Sequence, residues 1–117
     1  MQRVFQQSYH IPGTLTANIT ITFTVPFACQ LVHVSAVASN NSDATLIIGT
    51  SADDDAYLES CTIGDSGTPV EKARTDFVGD QFPHIADDTI VVITLDFDGS
   101  AGTAAQNVTL VLTFTEG

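Results

Sequence analysis

The chain has 117 residues and carries fourteen acids against three bases, Arg3, Lys72 and Arg74, for a net charge of −11. That length makes one domain able to bury a core without metals or disulfides, and that charge argues against nucleic acid and anionic membranes as partners, since both recruit positive charge. Tryptophan is absent and only two tyrosines occur, so a sugar-stacking platform is poorly supplied.

Residues 1–13, MQRVFQQSYHIPG, lack the apolar stretch of a signal peptide. No apolar run approaches the roughly 20 residues of a transmembrane helix. The chain is therefore expected to be made in the cytoplasm and to stay soluble. Val4, Gln6 and Ser8 alternate with Phe5, Gln7 and Tyr9. This predicts an N-terminal arm or edge strand over 1–13, ended by Pro12-Gly13, ahead of a single domain over 14–117.

The segment TLTANITITFTV at 14–25 is the clearest pattern in the chain. Leu15, Ala17, Ile19, Ile21, Phe23 and Val25 alternate with Thr14, Thr16, Asn18, Thr20, Thr22 and Thr24. Successive side chains of a strand point to opposite faces, so one long strand with a buried and a polar face is predicted. Its polar face holds no charge. Exposed edges normally carry charge to discourage pairing. The strand is therefore expected to be central in its sheet, or to have its Thr face covered by another chain.

CQLVHVSAVA at 29–38 predicts the next strand, with Val32, Val34, Ala36 and Ala38 opposite Leu31, His33 and Val37. A turn-rich stretch at 39–43 leads to ATLIIGT at 44–50, an apolar strand expected to be buried on both sides. An acidic loop follows, Ser51–Asp55. Residues 56–63 fit a helical turn or a strand, and 64–69 form a turn. VEKART at 70–75 is an edge-strand candidate because of its charges. Residues 76–88 read as a connection. TIVVITLDF at 89–97 and NVTLVLTFT at 107–115 are strands. Val91, Ile93, Leu95 and Phe97 share one face of the first, and Val108, Leu110, Leu112 and Phe114 point inward from the second. An antiparallel hairpin between them, with a long loop, is predicted. Seven or eight strands and no long helix indicate an all-β fold, an antiparallel two-sheet sandwich of jelly-roll type.

Chemistry-bearing constellations are sparse. Asp53–Asp55 and the pair Asp96 and Asp98 before Gly99 offer hard oxygens for calcium, but neither follows an EF-hand pattern. Asp96 and Asp98 are weak metal candidates beside the plainer reading of an acid-solvated turn. His10, His33 and His84 form no ligand pair, and Cys29 and Cys61 match no zinc spacing. Buried free thiols, or a disulfide in an oxidising setting, fit the cysteines. No G-x-S-x-G elbow or phosphate loop occurs. The sequons at Asn18, Asn40 and Asn107 are read as unglycosylated. No enzyme and no cofactor are expected.

The run PFACQLVHVSAVA (26–38) and the closing stretch IADDTIVVITLDFDGSAGTAAQNVTLVLTFTEG (85–117) resemble small virion proteins of tailed bacteriophages, the capsid decoration or cement proteins. The resemblance implies a compact β-domain, often a homotrimer, clamped on the capsid exterior against the major capsid protein. It supplies no active-site residues. On that footing the chain is expected to be a structural virion protein that stabilises a phage capsid by bridging capsomers. Phe5, Tyr9 and Ile11 of the arm, with Leu31 and His33, are the candidate capsid or subunit contacts. The alternative is a carbohydrate- or receptor-binding jelly roll of a viral fibre or adhesion protein. A calcium-stabilised accessory domain using Asp96 and Asp98 ranks third.

Overall fold

The computed structural model describes residues 3–63 and 66–117. The turn at 64–69 is therefore described only from Ser66. Among the described residues nine strands form two antiparallel sheets that enclose one apolar core. They are β1 (Val4–Thr14), β2 (Ile19–Thr24), β3 (Cys29–Val37), β4 (Thr45–Thr50), β5 (Leu58–Thr62), β6 (Val70–Lys72), β7 (His84–Ile85), β8 (Ile90–Asp96) and β9 (Gln106–Glu116). The first sheet has the order β1-β9-β3-β6, with β7 also on β3. The second has the order β2-β8-β4-β5.

The inward sets are those that period-two alternation selects. Val91, Ile93 and Leu95 of β8 and Val108, Leu110, Leu112 and Phe114 of β9 are fully buried. Burying side chains of this size is worth roughly 1.5–3 kcal/mol each, and the rows of β8 and β9 share the core with Leu31, Leu46, Ile48, Leu58, Ile63 and Ile85.

Pairing departs from expectation in several places. β8 and β9 do not form a hairpin: β8 lies between β2 and β4, while β9 lies between β1 and β3. The connecting loop crosses from one sheet to the other instead of reversing within one. It is pinned on the way by Asp43 N–H to Thr103 O (2.9 Å) and Ala105 N–H to Phe97 O (2.9 Å).

The single strand expected over 14–25 is two elements. Thr14 closes β1 in the first sheet, and β2 starts only at Ile19 in the second. Between them the chain changes layers, and Ala17, expected on the buried face, is exposed in the crossing between Thr16 and Asn18. Leu15 stays buried at the corner, where its N–H donates to Ala105 O at 2.9 Å. β2 pairs with β8 alone and so lies at a sheet edge, not at its centre.

β3 carries a register shift. Leu31 lies opposite Phe114 and His33 opposite Thr113, leaving Val32 as the extra residue. A bulge of this kind resets the alternation. Leu31 therefore points into the core together with Val34 and Ala36, although strict alternation puts it on the other face. Val32 is only half-buried.

β4 is buried on one side only. Leu46 and Ile48 are in the core, and Ile47 is half-buried on the outer face. Residues 56–63 supply a strand, β5, and the charged segment supplies the three-residue edge strand β6. Residues 76–88 contain β7 and short 3-10 turns.

Candidate contact surfaces

Two surfaces distinguish this sandwich: the outer face of the first sheet and the seam where β1 and β2 leave the two layers unsealed. On the outer face, cross-strand rows run Gln6–Thr113–His33 and Ser8–Val111–Ser35, flanked by His10–Thr109–Val37 and Val4–Thr115–Gln30. No Asp, Glu, Lys or Arg stands in these rows. The polar side chains bond along them: Gln6 Nε2 donates to Thr113 Oγ1 at 3.1 Å, and His10 Nδ1 lies 2.8 Å from Thr109 Oγ1. His33 lies at the rim, where Nε2 is 3.3 Å from Glu71 Oε1. The result is a face whose rows across β1, β9 and β3 carry no charge, on a chain of net charge −11.

The seam gathers the apolar residues of β1 and β2. Phe5, Tyr9 and Ile11 point inward from β1, and Ile19, Ile21 and Phe23 from β2; all six pack on the core yet stay half-exposed. Phe5 stacks on Phe114 at 4.8 Å between centroids and meets Phe27 edge-on at 5.3 Å. Phe23 meets Phe114 edge-on at 6.1 Å and Tyr9 at 6.2 Å. Partial burial raises the Tyr9 phenol pKa. The sequence places Phe5, Tyr9 and Ile11 on an arm; the structure brings them beside β2. The signal that joins them is the apolar alternation shared by the two segments.

Leu31 is a correction. It has no accessible surface, so it serves the core and not a partner. His33, its neighbour across the bulge, does face outward.

Most of the acids lie at strand ends and in loops, apart from Glu59 in β5 and Glu71 in β6. Asp96 Oδ1 accepts Asp98 N–H (3.4 Å) and Ser100 N–H (3.4 Å), and Asp98 Oδ1 accepts Ser100 N–H (3.0 Å). These two carboxylates thus cap the turn that follows β8. Asp53, Asp54 and Asp55 bring carboxylate oxygens together on the surface. The Asp55 carboxyl is pushed up by a hydrogen bond with Asp53 and by the neighbouring negative charges.

Three asparagines, Asn18 and Asn40 in loops and Asn107 at the start of β9, act as structural ties, a role sequence reading missed. Asn40 Nδ2 donates to Ala104 O and its Oδ1 accepts Gln106 N–H, both at 2.9 Å. Asn18 Oδ1 accepts Phe97 N–H at 3.1 Å, and Asn107 Oδ1 accepts Gly13 N–H at 2.8 Å. All three belong to the sequons. Cys29 and Cys61 are free thiols, and burial pushes both pKa values up. Among the described residues no pocket is found.

No protein-family model matches the sequence, and no curated protein does. Solved structures do. A chain of the cyanophage Pam1 capsid asymmetric unit superposes with a TM-score of 0.61 at 18% identity, covering 99% of this chain and 85% of that one. A chain in the structure of infectious bursal disease virus Gx strain covers 99% of this chain and 33% of that one, with a TM-score of 0.45 and 12% identity. At these identities the likeness to the cyanophage chain is one of fold.

Proposed function

We propose that this chain is a structural virion protein that sits on the exterior of a phage capsid and stabilises it by bridging capsomers. The observation that carries the reading is the fold shared with the cyanophage capsid chain over nearly the whole of this one. Strand order supports it too. Consecutive strands alternate between sheets through β4, and β8 and β9 alternate again. We read this as a jelly roll, an architecture used by viral capsid domains.

The surfaces fit a binding role without catalysis. A sheet face whose central rows are uncharged can lie against a shell without desolvating ions, which would cost several kcal/mol per unpaired charge. Acids at the strand ends stay in water and keep the particle soluble. Five of the nine aromatic rings, Phe5, Tyr9, Phe23, Phe27 and Phe114, cluster at the seam, and Tyr57 and Phe77 are buried, which leaves few for a sugar-binding display.

The test is reconstitution. Purified protein is mixed with heads of its virus lacking it, and the particles are sedimented and melted. Stoichiometric co-sedimentation and a higher head melting temperature are expected. Heads that neither retain the protein nor gain stability would overturn the reading.

A further inference from the structure

All three histidines of the chain stand on one surface. His10 of β1 lies opposite Thr109, His33 of β3 opposite Thr113, and His84 of β7 opposite Gln30. Residues paired across two strands project to the same side of a sheet. Thr109 and Thr113 alternate with the buried Val108, Leu110, Leu112 and Phe114, and Gln30 lies between the buried Cys29 and Leu31. The three imidazoles therefore face outward from the first sheet, although they are far apart in sequence.

Few charged groups stand near them. Glu71 of β6 lies 3.3 Å from His33 at the rim. Lys72 is opposite the buried Val34 and so leaves from the other side of the sheet. Arg3 and Glu116 bond to each other at one end of β1 and β9. Asp87 and Asp88 follow β7 in its loop. The row of His10 holds Thr109 and Val37 and no charge.

The second sheet offers no comparable surface. Its paired strands β2, β8 and β4 have 6, 7 and 6 residues, against 11, 11 and 9 for β1, β9 and β3. Gly49 faces outward with Val92, and a Cβ there would meet the backbone of Asp53 and Asp54. The loop that carries Asp53, Asp54 and Asp55 thus lies over β4 on the outer side, and that face bears acids.

We infer that the outer face of the first sheet is an acid-sensitive contact, which docks on an uncharged patch of the shell while its histidines are neutral and releases it when they are protonated. The inference rests on the virion reading above and names how that contact is regulated. Histidine is the side chain that gains its charge between pH 8 and pH 5. Over that range the face passes from the single negative charge of Glu71 to three positive charges against that one. His33 then has Glu71 as its partner. His10 and His84 have no acid in their rows. A charge buried without a partner is costly, so a contact fitted to neutral rows breaks in acid. By the same rule the shell patch is itself uncharged, since an acid or base on it would be buried unpaired at neutral pH.

The experiment measures binding of the intact chain to heads of its virus lacking it, by sedimentation at pH 7.5 and pH 5.5. Affinity should fall about tenfold or more at the lower pH. The double variant His10→Asn, His84→Asn should bind like the native chain at pH 7.5 and lose most of the fall, which separates these imidazoles from titrating groups of the heads. His10→Lys fixes a charge in the row and should weaken binding about tenfold at pH 7.5 with circular dichroism unchanged. Thr22→Lys, on the outer side of β2, should not weaken it. Binding that is equal at the two pH values, tighter in acid, or lost in acid to the same extent by the native chain and the double variant would overturn the inference and leave the virion reading standing. Heads that retain no native chain at pH 7.5 would overturn both.

Discussion

Arg3 and Glu116 fasten the beginning of β1 to the end of β9 through backbone and side chain together. Glu116 N–H donates to Arg3 O at 2.8 Å, and Arg3 Nε donates to Glu116 Oε2 at 3.0 Å. The same guanidinium lies 3.9 Å from the Phe27 ring centroid, so it also covers the rim of the aromatic cluster.

This clip has a pH dependence of definite sign. The hydrogen bond from Arg3 holds the Glu116 carboxyl below its usual range. A group whose folded pKa lies below its unfolded value stabilises the fold above the unfolded pKa. That contribution disappears as pH falls through the folded value. Glu116→Gln should therefore melt slightly lower than the native chain at neutral pH. The difference should close well below the carboxylate range, where both side chains are neutral. The effect is small because the pair is exposed. Parallel thermal melts across pH check it, and a gap that widens in acid would contradict it.

Leu31 and His33 are two positions apart, yet they occupy opposite faces of the first sheet in function: one fills the core, the other meets Glu71. Without the bulge at Val32 they would share a face. Leu31→Ala should cost about 2–5 kcal/mol, the range for a buried Leu that leaves a cavity. His33→Ala should cost far less. Urea titration of the two variants tests the assignment, and equal losses would mean that Leu31 is not a core residue.

Period-two alternation made the strands and most of their inward residues legible. Val91, Ile93, Leu95 and the β9 row through Phe114 needed only that pattern. Partnership between strands was not legible, because alternation names a face and not a neighbour. That is why β8 and β9 read as a hairpin and why 14–25 read as one strand. At Leu15 the chain changes sheet while the side chain keeps pointing inward, so nothing in the residue types marks the corner. The bulge is equally silent, since Val32 suits either face. Of the candidate contacts, Phe5, Tyr9 and Ile11 were visible as an apolar set. Their meeting with β2 depends on two sheet edges lying together, which a one-dimensional pattern does not contain.

Gly49 shows how tightly the acidic loop is folded back on β4. A Cβ built there would collide with the backbone of Asp53 and Asp54 and stand only 2.6 Å from Ala56 N. The loop is held in that position by Thr50 N–H to Asp53 O at 2.8 Å and Tyr57 N–H to Ile48 O at 3.0 Å. A methyl group at this site meets backbone on one side and the sheet on the other, so neither can yield by a rotamer change. Gly49→Ala should therefore push the loop off β4 and cost about 1–3 kcal/mol, as overpacking does. Hydrogen exchange should report the displacement locally, with faster exchange at Thr50 and Tyr57 and no change along β9. Unchanged protection at both amides, together with an unchanged midpoint in urea, would show that the loop does not rest on Gly49.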